Sequence, residues 1–216
     1  MKILFLFAHP DDEAYGPAGT IAKLSKDHEV TVVSLCNGAR PGNEQVSSSR
    51  TVAFEQSCKL LGADFKIYDQ PDCSLEYTNT LSQIEMIINY IQPDVVYTHN
   101  ISDIHRDHRL VAECCVVACR PKPESNVSSL YMSEMPASTA WSFGQIDPQF
   151  IPNVYEDITE FIDVKKTVLE LYSTEIYNFP DARSVEAVEV LSKYRGYQSG
   201  FSNAEAFKLV FSKNRN

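Results

Sequence analysis

The sequence carries little that would direct it to nucleic acid or to a membrane. Among its 216 residues, 19 Lys and Arg stand against 29 Asp and Glu, a net charge of −10. Such a balance repels phosphate backbones and anionic lipid surfaces unless a local basic patch overrides it. No stretch approaches the roughly 20 consecutive apolar residues of a spanning helix, so no membrane anchor is expected. The apolar opening, Met1 to Ala8, is cut short by His9-Pro10-Asp11-Asp12-Glu13 and reads as a first strand rather than a secretion signal. Six cysteines, at 36, 58, 73, 114, 115 and 119, form neither paired CxxC spacing nor a dense framework. Reduced, packed thiols are therefore expected, which favours the cytoplasm. Glycine is scarce at eight residues, and no Gly-x-Gly-x-x-Gly follows the first strand, which excludes a dinucleotide site of that kind.

What is present suffices for a core: 44% apolar residues, with eleven Phe and eleven Tyr. Short β-branched or aromatic runs alternate with amphipathic stretches, the pattern of an α/β, Rossmann-like, doubly wound and mostly parallel sheet in one domain, 1–216. Strands are predicted at Lys2–Ala8, Glu29–Cys36, Asp64–Tyr68, Val95–His99 and Leu130–Met132, with a terminal strand at Ala204–Phe211. Helices are predicted at Ala18–Lys26, Ser47–Leu61, Thr80–Ile91, Arg109–Ala118, Val164–Tyr172 and Val185–Tyr194. The third of these is the clearest, because Leu81, Ile84, Ile87, Ile88 and Ile91 recur at helical spacing and Pro93 forbids continuation.

In such a sheet ligands bind beyond the carboxyl ends of the strands. After strand one come His9, Asp11, Asp12 and Glu13; after strand four come His99, Asp103, His105, Arg106, Asp107 and His108. A catalytic zinc ion takes three His or carboxylate ligands and keeps one open position. His9, Asp12 and His108 would supply that set, leaving Asp11 as a free carboxylate to act as general base. A solvated turn with two surface histidines is the plain alternative for either segment alone. A phospho-receiver or non-catalytic metal-binding module is the rival from another class. It has Asp69 as a possible acceptor but no lysine after strand five.

These segments resemble the PIG-L/LmbE-like zinc-dependent N-acetylglucosaminyl de-N-acetylases. The resemblance rests on Ala8-His9-Pro10-Asp11-Asp12-Glu13, Cys36-Asn37-Gly38, Arg50 with Glu55 and Leu61-Gly62, His105-Arg106-Asp107-His108, and the late Arg195-Gly196 and Ala204-Glu205-Ala206-Phe207. It implies a hydrolase that removes the acetyl group from an N-acetylated sugar or glycoconjugate. Zinc would be held by His9, Asp12 and His108, Asp11 would deprotonate the water that zinc activates, and His105 would stabilise the oxyanion. Asp107 is expected to orient His105 and set its charge. Arg50 is expected at the substrate, and Glu13 as an acceptor for a sugar hydroxyl. Iron(II) would also suit two imidazoles and a carboxylate. Self-association is a further expectation from the resemblance. Arg106 stands where look-alikes often have proline, and its charge suggests a contact to an anionic substituent. Ser173-Thr174 and Asn203 depart from the family's Ser-Gln and Tyr.

Overall fold

A computed structural model describes residues 1–40, 44–146 and 149–213. In chain order the main elements are β1 (Lys2–Phe7), α1 (Asp12–Tyr15), α2 (Ala18–Leu24), β2 (Glu29–Cys36), α3 (Glu44–Leu61), β3 (Asp64–Gln70) and α4 (Tyr77–Ile91). There follow β4 (Val95–His99), α5 (Arg106–Ala118), β5 (Ser129–Ser133), β6 (Val154–Asp157), α6 (Ile162–Glu170), α7 (Val185–Ser199) and β7 (Ala204–Ser212). All seven strands form one sheet in the order β3-β2-β1-β4-β5-β7-β6. The first five strands pair in parallel, whereas β7 runs antiparallel to both β5 and β6. The mostly parallel α/β expectation therefore holds, and the antiparallel edge is what the sequence reading did not specify.

Strand alternation divides the core. Ile3, Phe5 and Phe7 of β1 face α1, α2, α3 and α6, meeting Ala18, Ile21, Phe54 and Val168. Leu4, Leu6 and Ala8 face the opposite way, toward Ile84 and Ile87 of α4 and Val111 of α5. Because β1 is covered on both faces, its side chains read as a continuous apolar run, as a central parallel strand should. Each such large side chain contributes about 1.5–3 kcal/mol by leaving water.

Helix ends follow local chemistry. Ser184 caps α7 by accepting from Ala187 N–H at 3.1 Å, and Gly200, at φ 81, closes it in the left-handed conformation. Helix α4 stops at Gln92, itself left-handed at φ 53, just before Pro93. Two short elements went unpredicted. Helix α1 is only four residues, and β6 is four half-buried residues, Val-Tyr-Glu-Asp, whose pattern is too short to show a period. Five cysteines are buried and free, and Cys73 alone is exposed. Among the described residues no helix is long and apolar enough to cross a membrane.

Candidate active site

Strands β1 and β4 are direct neighbours, so the residues that follow them share one rim, at the point where the strand order reverses. The two loops are stitched together: Ala8 N–H donates to His99 Nε2 at 2.9 Å. After β1 the chain turns sharply. Asp11 adopts φ 125, a region where a side chain other than glycine costs about 1–3 kcal/mol. The turn holds because Asp11 C=O accepts from Ala14 and Tyr15 N–H, both at 3.0 Å, and Asp11 N–H donates to Glu13 Oε2 at 3.1 Å. Its effect is to aim His9 and Asp12 to one side and Asp11 to another.

Three donors converge. His9 Nδ1 lies 3.2 Å from His108 Nε2, Asp12 Oδ1 lies 3.2 Å from His108 Nε2, and Asp12 Oδ2 lies 3.5 Å from His9 Nδ1. Bonds of about 2.0–2.1 Å arranged tetrahedrally would set such atoms roughly 3.3 Å apart, so the donor set fits a zinc ion with one position left over. Carboxylates stand behind both imidazoles. Asp103 Oδ2 faces His108 Nδ1 at 3.2 Å, while Asp72 Oδ1 and Asp107 Oδ2 face His9 Nε2 at 3.1 and 3.3 Å. Partners of this kind fix ring orientation and raise ligand basicity. Burial alone would lower the His108 pKa, but Asp12 and Asp103 outweigh it and lift it to about 9. His9 is likewise raised, its burial outweighed by Asp107, Asp12 and Asp72. A cation entering this cluster takes the place of protons.

Asp11 sits beside this cluster with its own partners. Arg183 Nη2 donates to Asp11 Oδ2 at 2.6 Å, and Arg50 Nη2 lies 3.7 Å away. Glu175 closes the circuit, bonding Arg50 through one oxygen and Arg183 through the other, the latter at 3.0 Å. Burial pushes the Asp11 carboxyl up to about 6; the two arginines oppose this and Asp12 adds to it. A carboxylate poised there suits a general base working near neutrality. Arg50 also donates to Gly38 C=O at 2.8 Å, and Gly38 has to be glycine: at φ +77 a Cβ would lie 2.6 Å from Arg50 Cδ.

His105 caps α5. Its Nδ1 accepts from Asp107 N–H at 3.3 Å, which leaves the proton of the neutral ring on Nε2. Burial, followed by the charges on His108 and His9, depresses its pKa to about 4. At neutral pH His105 is therefore a neutral imidazole that still donates through Nε2. The carboxylate of Asp107 turns to His9 and to Cys73 N–H, at 2.7 Å, so it supports a metal-ligand histidine, while its hydrogen bond to His105 comes from its own backbone N–H.

Two expected substrate contacts are corrected. Glu13 is fully buried, with Tyr172 O–H donating to it at 2.5 Å, so it braces the Asp11 turn and reaches no sugar. Arg106 projects outward from the start of α5, 62% exposed, with Glu76 at 3.7 Å as its partner. His99, unassigned from sequence, stacks behind His108 at 3.8 Å, its Nε2 accepting from Ala8 N–H and lying 3.2 Å from Asp12 Oδ2. Asp69 is exposed and accepts from Asn37 Nδ2 at 2.6 Å, away from the cluster, so the receiver reading finds no acceptor here. Asp72, Glu175 and Arg183 were not foreseen. They lie in irregular connections where charge carries no periodic signal.

His9, Asp11, Asp12, His105 and His108 open onto a cavity of about 580 Å³, a volume suited to a small ligand. Asp11, Arg50, Asp72, His105, Trp141 and Arg183 are among its walls. Over residues 4–119 the sequence matches the PIG-L pattern described as GlcNAc-PI de-N-acetylase. The chain belongs to the PIG-L family. As a member it is a hydrolytic de-N-acetylase. A relative in Bacillus cereus, described as a probable N-acetyl-alpha-D-glucosaminyl L-malate deacetylase 2, is 25% identical over 189 residues, covering 80% of this chain and 83% of the relative. The N,N'-diacetylchitobiose deacetylase of Pyrococcus horikoshii superposes with a TM-score of 0.79 at 20% identity, over 97% of this chain and 83% of that one. A 4-carboxy-2-hydroxymuconate hydratase from Pseudomonas putida superposes nearly as well, TM-score 0.78 at 19% identity, over 100% and 98% of the two chains. At such identities these structures speak for the fold alone, and the PIG-L fold carries more than one chemistry.

Proposed function

We propose that the whole PIG-L chain, 1–216, acts as one zinc-dependent domain that removes the acetyl group from an N-acetylated amino sugar or its glycoconjugate. The observation that carries this reading is the convergence of His9 Nδ1, His108 Nε2 and Asp12 within 3.2–3.5 Å of one another, beside a separate carboxylate on Asp11. Zinc, or iron(II), when bound there supplies a Lewis acid that polarises the amide carbonyl and lowers the pKa of water. Asp11 takes the proton of the attacking water at Oδ, kept in place by Arg183. His105 donates its Nε2–H to the oxygen on which charge accumulates, and a neutral donor fixed at a helix start serves there without being charged beforehand. The leaving amine collects the proton from Asp11, giving acetate and a free amino sugar.

The cavity walls supply both signs of charge for sugar hydroxyls. Arg50 and Arg183 are donors there, and Asp72 and Glu175 are acceptors. The supports for a cytoplasmic setting are five buried free thiols and the one exposed thiol. For self-association the support is a stripe on the outer face of α7, where Val190, Tyr194 and Tyr197 are all exposed. The test is acetate release from a panel of N-acetyl sugars together with metal analysis of the purified protein. Turnover that tracks zinc or iron content and vanishes with chelation supports the proposal; a metal-free protein with full turnover overturns it.

A further inference from the structure

Two guanidinium groups on one cavity wall have the make-up of a subsite for a carboxylate or phosphate, because each offers a planar fork of donors. Arg50 and Arg183 stand in that arrangement, and both line the cavity. The place an anion would take is filled from within the chain. Glu175 meets Arg50 Nη2 through Oε1 and Arg183 Nη1 through Oε2, the latter at 3.0 Å. One carboxylate thus bridges both cations, as a substrate carboxylate would.

Glu175 is held in this position from the backbone. Its N–H donates to Tyr172 C=O at 2.8 Å, and its C=O accepts from the Tyr15 hydroxyl at 2.8 Å. The same hydroxyl lies 3.1 Å from Arg183 C=O, and the Arg183 guanidinium sits over the Tyr15 ring at 4.9 Å. Both ends of the segment 175–183 are therefore gathered on one buried phenol at the end of α1.

Charge decides what this wall admits. Arg50 and Arg183 are already balanced by Asp11 and Glu175, two of each sign. A further anion entering the circuit meets surplus negative charge, and the repulsion is strong where water is largely excluded. Without Glu175 the same wall would carry one surplus positive charge. A neutral hydroxyl escapes the penalty, since it can donate to Glu175 or accept from Arg183, whose side chain is 27% exposed.

We propose that Glu175 is a resident counter-anion that fills the Arg50–Arg183 subsite and makes the cavity select against N-acetylated sugars bearing a carboxylate or phosphate at that wall. Specificity of this kind is built from a repulsion placed against the wrong ligand. The substrate selection rests on the deacetylase function proposed above; the anion binding does not.

The experiment uses zinc-loaded protein and two substrate pairs. One is the carboxymethyl glycoside of N-acetylglucosamine beside its methyl ester; the other is N-acetylglucosamine phosphorylated at its primary hydroxyl beside the free sugar. The readout is the ratio of kcat/KM between charged and neutral members, in which any general loss of activity cancels. Wild type should favour the neutral member of each pair roughly 100-fold. Glu175→Ala opens the space and Glu175→Gln removes only the charge. Both should keep one equivalent of zinc, and both should bring the preference to roughly tenfold or less for at least one pair. Ratios unchanged in both variants, or a wild type that favours the charged members, overturn the selection.

Sulfate titrated calorimetrically into the same proteins needs no turnover. It should bind Glu175→Ala at least roughly tenfold more tightly than wild type, and adding Arg50→Gln should abolish the gain. Equal sulfate affinity in wild type and Glu175→Ala overturns the subsite, as does a gain that survives Arg50→Gln. If no N-acetyl sugar turns over, the deacetylase reading falls, while sulfate still decides the claim about Glu175.

Discussion

Arg183 Nη2 lies 2.6 Å from Asp11 Oδ2, joining residues 172 positions apart in the chain. The contact ties the strained turn after β1 to the connection between α6 and α7, and it sets the electrostatic state of the proposed base. Burial raises the Asp11 carboxyl to about 6, and Arg183 is one of two cations that keep it from rising further. Arg183→Gln removes one of them, so the Asp11 pKa should climb. A base works only when deprotonated, so the acidic limb of the kcat/KM profile should move to higher pH by roughly one unit. An unshifted limb would show that Asp11 does not govern it.

Asp11→Asn keeps the size of the side chain and removes its basicity. Turnover should fall by roughly 10²–10⁴, while zinc content stays at one equivalent because His9, Asp12 and His108 are untouched. His108→Ala should do the reverse, losing the metal first and activity as a consequence. Metal analysis beside initial rates separates the two, and an active Asp11→Asn enzyme would refute the assignment.

Proton release should accompany metal uptake. His108 is raised to about 9, so the metal-free imidazole is protonated at neutral pH and must lose that proton to ligate. His9 is raised as well, so affinity should rise with pH from neutrality to at least about 9. Calorimetry in buffers of different ionisation enthalpy counts the protons, and a count of zero at pH 7 would contradict the electrostatics. Asp103 is one of the two carboxylates responsible and bonds His108 from behind, at 3.2 Å. Asp103→Asn should weaken zinc binding by roughly 10–100-fold without touching the ion.

How much of this was legible depended on where each residue sits. His9, Asp11, Asp12, His105 and His108 follow strands whose apolar runs are plain in the sequence, so the two segments could be placed at one rim before any coordinates. Glu13 was misread because the short helix α1 is invisible to periodicity. Its first turn is wholly buried, which turns an apparent surface acid inward toward Tyr172. Arg106 was misread because charge beside catalytic histidines gives no clue to which side of a helix it occupies. Arg183 and Glu175 lie in the stretch between α6 and α7, where nothing periodic marks their approach to Asp11.

The buried pair Glu13 and Tyr172 should couple stability to activity. Burial raises the Glu13 carboxyl to about 7, opposed first by the hydrogen bond from Tyr172. Tyr172→Phe deletes one donor and leaves a buried oxygen less satisfied, at a cost of about 1–3 kcal/mol. For a chain of this size each kcal/mol lowers Tm by roughly 2–4 °C. Because Glu13 Oε2 also receives Asp11 N–H, kcat should drop along with Tm. A variant with wild-type kcat and lowered Tm would mean that the brace does not reach the base.

Trp141 is the only tryptophan, and it lies on the cavity wall with 40% of its surface exposed. An indole face on this wall offers a platform for the apolar C–H face of a sugar ring, in a cavity whose walls also carry Arg50 and Asp72. Covering that face contributes equally before and during reaction, so its loss should appear in KM and not in kcat. Trp141→Ala should raise KM for N-acetylated sugars roughly tenfold, the effect of about 1.4 kcal/mol of lost apolar burial, and Trp141→Phe should restore most of it. A small acetamide without a ring has nothing to stack, so its kcat/KM should be equal in wild type and Trp141→Ala. If the acetamide suffers as much as the sugar, Trp141 shapes the site around the metal set and does not read the substrate.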